Sequence, residues 1–330
     1  KTKHHVLDTI AAMVSGSRLL PGKMAIAYVK TLGGTRQATV LGSRFVTNTV
    51  NAAFANAMLA HADETDDSHA KAYMHPGSGI VPAALAMAEQ WRCNGTALLR
   101  AVALGYDVGA RLNLSLAAGE MIKLGHTMHS FGNHFGAAAA SAALARLNAR
   151  QVRHVLSYTA QQCSGVSTYA RDLDHIEKAF DFSGMAARNG VTAATMVAAG
   201  CTGVDDVFSG ERNFHATYDE SKRHGIKPRP ELLVEDLGRN YEIMGTNIKR
   251  WSVGSPIQGA LDLLFDLIRS ENVRAKDVEK IVARVYAGGA RTTDNREMPD
   301  INIHHMCALM LVDGHVTFDS AHDVKRMKDP

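Results

Sequence analysis

The sequence predicts a mainly α protein, with a large all-helical domain followed by a smaller α+β lid domain. Three observations carry this expectation. The stretches 48–60, 137–145 and 186–199 are rich in alanine and, Arg188 apart, almost free of charge. A helix without a charged face is buried, and small side chains let neighbouring backbones come close, so these segments argue for a helical core rather than a sheet with helices laid on it. After Gly200 the texture changes, with a polar, loop-rich stretch at 202–240 containing Pro228 and Pro230. Alternation of polar and apolar residues then appears from Lys280 to Tyr286, the period expected of a strand.

In chain order, Val6 to Met13 spaces its apolar residues three and four apart, as a helix requires. Pro21 suits the first turn of a second helix, and Thr39 to Gly42 suits a short strand or turn. Ile80 to Glu89 reads as a further apolar helix. Ile301 to Met310 reads as another, and His315 to Phe318 as a short strand. The expected domains are 1–243 and 244–330. Both ends look cut rather than natural, with Lys1 opening the chain and a polar stretch, Lys325 to Lys328, closing it.

Composition excludes several classes of function. The 330 residues hold 36 Lys and Arg against 33 Asp and Glu, a net charge of +3 that gives no footing for a nucleic-acid or membrane partner. No apolar run is long enough to cross a bilayer. Cys93, Cys163, Cys201 and Cys307 form no CxxC pair and suit a reducing compartment, so a cytoplasmic location is expected. Gly132 and Gly136 lack the preceding strand and the glycine pattern of a dinucleotide loop, and neither a P-loop nor a GxSxG elbow occurs.

Chemistry concentrates between residues 61 and 79. His61, Asp63, Glu64, Asp66, Asp67, Ser68 and His69 follow the buried alanine helix, and His75-Pro76-Gly77 opens the next one. Carboxylates and imidazoles at the mouth of a packed core must be paired, and such surroundings shift their pKa values. Three readings compete. Asp66, Asp67 and Ser68 suit helix caps and solvated loop positions. His61, Asp63 or Glu64, Asp67 and His69 suit a metal site, although the HExxH spacing is missing. His75, oriented by a nearby carboxylate, suits general acid/base catalysis.

The pattern His61-Ala-x-Glu64-x-Asp66-Asp67-Ser68, then His75-Pro76, then Pro82-Ala83-Ala84-Leu85-Ala86, resembles the signature of the MmgE/PrpD family. Further runs follow in the family's order: Gly132 to Ala139, Lys178 with Gly184 to Gly190, Ile248 to Trp251, and Leu309 to Gly314. Departures are local. One extra residue precedes His75, Glu64 replaces an aspartate, and Lys178 is one residue further from its glycine than the pattern has it.

The resemblance implies a homodimeric, cofactor-free lyase, with no metal, that moves a proton next to a carboxylate of a small polycarboxylate. A hydro-lyase acting on a 2-methylcitrate-like acid is the first expectation; a decarboxylase or epimerase using the same chemistry is the second. A metal-dependent hydrolase built on His61, Asp67 and His69 is a more distant alternative. By the same resemblance His75, Glu64, Asp67 and Ser68 are expected to be catalytic, and Lys178, Lys249 and His129 to bind substrate. His126 competes with His129 for the last role. Enolate-like charge developing beside a carboxylate needs fixed positive partners, which suits the two lysines.

Overall fold

From the N-terminus, α1 (Thr2–Gly16) and α2 (Leu20–Leu32) pack against α3 (Thr49–Ala60), the first of the alanine-rich helices. A small hairpin, β1 (Ala38–Thr39) with β2 (Val46–Thr47), joins α2 to α3. Asn48 starts α3 by accepting a hydrogen bond from the Asn51 N–H, and every residue from Ala52 to Ala60 is buried. Low side-chain volume is what permits this crowding. A Cβ placed on Gly16 of α1 would lie 2.0 Å from the carbonyl oxygen of Leu59. The structure, a computed structural model, describes residues 1–329.

Three more long helices follow: α4 (Pro76–Gln90), which packs on α3, then α5 (Gly95–Ser115) and, after the single turn α6 (Ala118–Met121), α7 (Met128–Leu144), both of which pack on α4. The α5–α7 pairing answers the question left by Gly132 and Gly136. Gly105 and Gly109 of α5 face them, and the backbones touch: a Cβ on Gly109 would sit 2.4 Å from the Gly132 carbonyl, and one on Gly136 2.7 Å from that of Gly105. These glycines serve close helix packing, the use small residues spaced four apart have in other tight helix pairs.

α8 (Ala149–Gln162) leads to a continuous helical segment of unusual build. The single turn α9 (Ile176–Ala179) runs into a π-turn, Phe180–Gly184, and then into α10 (Met185–Ala198). A π-turn is how an α-helix absorbs one inserted residue. The extra residue between Lys178 and Gly184 noted in the sequence is absorbed there. The one-turn helices α11 (Phe214–Thr217) and α12 (Ser221–His224) punctuate the loop-rich stretch that follows.

These elements form one compact unit, Lys1–Ala62 with Asp66–Ile248. Ile243 is buried in its core, so residues 244–248 continue this unit. The second unit comprises the chain from Lys249 onward together with the tripeptide Asp63–Thr65. Its core lies between α13 (Ser255–Ser270) and, beyond α14 (Ala287–Thr293), α15 (Ile303–Asp313), with Trp251, Ile257, Leu261, Met306 and Met310 buried. The two strands expected here are not formed. Ile281, Val282 and Tyr286 are exposed, and no neighbouring strand is present among the described residues; alternation specifies a strand only where a partner ladder exists. Val316 and Thr317 instead lead into the turn α16 (Phe318–Ala321), capped by the Thr317 side chain. The fold is mainly α, and among the described residues the second unit is helical too. Among the described residues no helix is long and apolar enough to cross a membrane.

Replacing Gly109 by Ala is expected to lower stability by about 1–3 kcal/mol, because overpacking against the Gly132 carbonyl outweighs the better helix propensity of alanine. Gly95→Ala, where an added Cβ meets nothing within 4 Å, should be neutral or slightly stabilising. Urea unfolding of both variants measures the contrast.

Candidate active site

The loop from His61 to His75 connects α3 to α4, and the neighbouring aspartates Asp66 and Asp67 use their side chains in different ways. Asp67 is fully buried. Its Oδ2 accepts from the Tyr106 hydroxyl at 2.7 Å and meets His5 Nδ1 at 2.6 Å, while its Oδ1 accepts from the Gly77 N–H at 2.8 Å. It therefore ties α1, α5 and the first turn of α4 to the loop, and its negative charge sits at a helix N-terminus, where the dipole favours it. Burial, reinforced by Asp67, pushes the Tyr106 hydroxyl well above its usual pKa. Both its oxygens are engaged by other helices, so the side chain expected to be catalytic acts here as an anchor of the loop.

Asp66, which suited a helix cap or a solvated loop position, is the carboxylate beside His75. Its Oδ2 lies 2.9 Å from His61 Nδ1 and its Oδ1 3.2 Å from His75 Nδ1. Burial is the largest single influence and would raise its pKa, but the combined charge and hydrogen bonds of His61 and His75 hold it well below the carboxylate range. His75 Nδ1 also meets the Asp67 carbonyl oxygen at 2.8 Å. A carbonyl can only accept, so Nδ1 carries the proton and Nε2 is left as the basic nitrogen.

Around His75 the rings form a stack centred on Phe182. His129, on the first turn of α7, lies 3.9 Å from the Phe182 ring centre at 10° between planes, and 5.4 Å from His75. His61 lies 4.8 Å from Phe182 and 5.1 Å from His75, with His175 5.2 Å from His61. Tyr169 meets Phe182 edge-on at 4.7 Å, and the Lys178 ammonium lies 5.2 Å from the same ring. His126 points elsewhere, into a cavity of about 560 Å³ lined by Tyr218, Asp181 and Phe131. Of the two competing histidines, His129 is the one beside His75. His175 takes φ of 60°, a left-handed conformation uncommon for a side chain with a Cβ, immediately before the turn that carries Lys178.

The remaining expected residues divide between the units. Ser68 stays with the first, its backbone exchanging two 2.9 Å hydrogen bonds with Asn247. Glu64 and Lys249 belong to the second, where the Lys249 ammonium donates to the Glu64 carbonyl at 2.5 Å. Glu64 also donates its N–H to the buried Asp300, and His322 lies 2.9 Å from Asp63 Oδ2. Burial pushes Asp300 up to about 7, with Asp63 and Glu64 adding to the rise and His322 opposing it. For His322 burial acts downward, but the hydrogen bond and charge of Asp63, with Asp300, raise it to about 9.

The metal trio suggested by the sequence, His61 with Asp67 and His69, does not assemble. Besides the anchoring of Asp67, His69 is taken up by Glu242 at 3.0 Å and by the Ala72 N–H. The group whose donor atoms do converge, within 4.8 Å of one another, is His61, Asp66 and His75, all buried. Cavity size alone would mislead: a cavity of about 740 Å³ in the second unit, lined by Ile281, Val285, Cys307 and Leu311, contains none of these groups. Sequence reasoning missed Asp66, Phe182, His175, Asp300 and His322 as parts of these clusters; only the adjacency of Asp66 to Asp67 carried any signal.

The chain belongs to the MmgE/PrpD family: the model of the MmgE/PrpD N-terminal domain matches residues 1–226. It is similar to the cis-aconitate decarboxylase-like protein oryM of Aspergillus oryzae, 25% identical over 82% of this chain and 57% of that protein. The cis-aconitate decarboxylase of Aspergillus terreus is 23% identical over 81% of this chain and 55% of its own length. The human cis-aconitate decarboxylase is 28% identical over 66% of this chain and 45% of its own. The chain thus spans about half the length of these relatives.

Two predictions follow from this geometry. Asp67→Ala should lower stability by about 3–5 kcal/mol in chemical denaturation, since it strands buried partners on three helices. Raised pKa values at Asp300 and His322 both give stability that is complete in acid and lost as pH rises, through about 7 for Asp300 and about 9 for His322. The melting temperature should therefore fall between pH 6.5 and 9.5, and less steeply in His322→Gln.

Proposed function

We propose that this protein is a lyase acting on a small di- or tricarboxylate, with His75 carrying the proton. The observation that supports this most is the state of His75. Its Nδ1 proton is committed to the Asp67 carbonyl and to Asp66, so Nε2 is the nitrogen able to exchange a proton, and the Asp66 carboxylate stabilises the imidazolium that results. Lys178 and Lys249 are the proposed holders of substrate carboxylates, with His129, Glu64 and Ser68 completing the set.

Loss of CO2 from a substrate leaves the electron pair of the broken C–C bond conjugated with a remaining carboxyl group, and a proton from His75 quenches it. Loss of water runs the other way: His75 removes a proton beside a carboxylate, the C–H pair forms the double bond as the C–O bond breaks, and the hydroxide leaves as water with the proton that the His75 imidazolium returns. The names of the relatives favour decarboxylation of a cis-aconitate-like acid as the first reaction to assay. Dehydration of a 2-methylcitrate-like acid, favoured by the sequence pattern, comes second. A metal-assisted hydrolase is the other class in view, drawing on the convergence of His61, Asp66 and His75.

Incubating the protein with citrate-, aconitate- and succinate-like acids in deuterated water, read by mass, separates CO2 release from dehydration and from simple exchange. Turnover of at least one acid is expected, and His75→Ala should slow it by about 10²–10⁴-fold, the usual contribution of a general acid/base. Undiminished turnover in that variant would remove the mechanism. A stoichiometric transition metal whose removal abolishes activity would favour the hydrolase.

A further inference from the structure

Glu64 is gripped by its backbone from a distant part of the chain. Its N–H donates to Asp300 Oδ2 at 3.3 Å, 236 residues away, and its carbonyl accepts from Lys249. On one side of it, Asp63 closes a tight turn by accepting from both the N–H and the hydroxyl of Thr65. The other Asp63 partner is His322, itself oriented by an Nδ1 hydrogen bond to the Phe318 carbonyl at 2.7 Å and by the Phe318 ring at 4.2 Å. Asp300 stands 3.8 Å from the same His322 nitrogen. The tripeptide Asp63–Thr65 is thereby built into the second unit although its chain neighbours on both sides belong to the first.

The charges make this an expensive arrangement for mere packing. Three carboxyl residues, Asp63, Glu64 and Asp300, are buried, with the half-buried His322 against Asp63 and the half-buried Lys249 ammonium on the Glu64 carbonyl. Buried ionic clusters are weak contributors to net stability, because desolvation offsets much of the attraction, and apolar residues of similar volume often do as well. What such a cluster supplies is orientation: the Glu64 N–H donates to Asp300 and its carbonyl accepts from Lys249.

We propose that Asp300 and His322 are positioning residues, which hold the Asp63–Thr65 segment so that the Glu64 carboxyl is presented to substrate in a single orientation. This rests on the reading that Glu64 belongs to the catalytic set. Asp300 acts on the Glu64 N–H, and His322 acts through Asp63 on the turn that Glu64 occupies. As pH rises His322 loses its proton and with it the charge that holds Asp63, so the His322 arm of the hold weakens.

The test compares Asp300→Ala, Asp300→Asn, His322→Ala and His322→Gln, with Arg326→Gln as a surface control in the same unit. Amide hydrogen exchange of the peptide spanning residues 63–65 is read alongside kcat and KM on whichever acid the wild type turns over. Both alanine variants should speed exchange there and lower kcat by about tenfold or more with little change in KM, as expected when a reacting group is misaligned. Asp300→Asn keeps an acceptor for the Glu64 N–H and should restore most of the rate. His322→Gln keeps a donor for Asp63 but cannot titrate, so it should flatten the alkaline limb of the kcat profile. If an alanine variant fails to fold, the Asn and Gln variants carry the test through that profile. Unchanged exchange at 63–65 in folded alanine variants would overturn the proposal. Faster exchange with unchanged kcat would also overturn it, and Glu64→Gln then locates the fault: an inert Glu64→Gln removes the catalytic reading of Glu64, whereas an inactive one removes only the positioning role.

Discussion

A single buried carboxylate, that of Asp67, organises the first unit around its chemistry. Its two oxygens hold an imidazole from α1, a phenol from α5 and the leading N–H of α4, so three helices and the loop share one anchor. The backbone carbonyl of the same residue engages His75 Nδ1. Packing and chemistry are therefore coupled through one residue. In a water-poor interior an unsatisfied charge is costly, and a charge with three well-placed partners is rigid.

Rigidity at the anchor allows the neighbouring residue to be poised differently. Asp66 bridges two imidazoles and remains anionic against its burial, which keeps both rings oriented and their protonated forms supported. Asp66 lies at a bend of the loop, and the pair of aspartates serves the core with one member and the imidazoles with the other. The aromatic floor comes from elsewhere. Phe182 lies in the π-turn between α9 and α10, where the helix widens to absorb one residue, and three histidines gather around its ring. π-turns recur at functional sites because they reorient side chains without ending a helix.

The second unit handles the same problem with the opposite electrostatic balance. Around Asp66 one carboxylate serves two imidazoles; around Glu64 several carboxyls share His322 and Lys249. The first cluster keeps a negative charge available at neutral pH, whereas the second holds a proton on Asp300 up to about 7.

By itself the sequence determined the helical class, the three buried alanine helices, and the gathering of carboxylates and imidazoles in the loop between α3 and α4. These are local properties: composition and periodicity decide whether a helix is buried, and proline after His75 marks where a helix begins. Tertiary structure alone decided that Asp66 rather than Asp67 attends His75, that His129 rather than His126 joins it, and that Asp300 and His322 meet Asp63. Each depends on which way a side chain turns or on contacts between distant segments, as far apart in the chain as Asp63 and His322, which no window of sequence contains. The unformed strand at 280–286 makes the same point in reverse, since alternation records a strand's preference for two faces but not whether a neighbouring strand exists to pair with it.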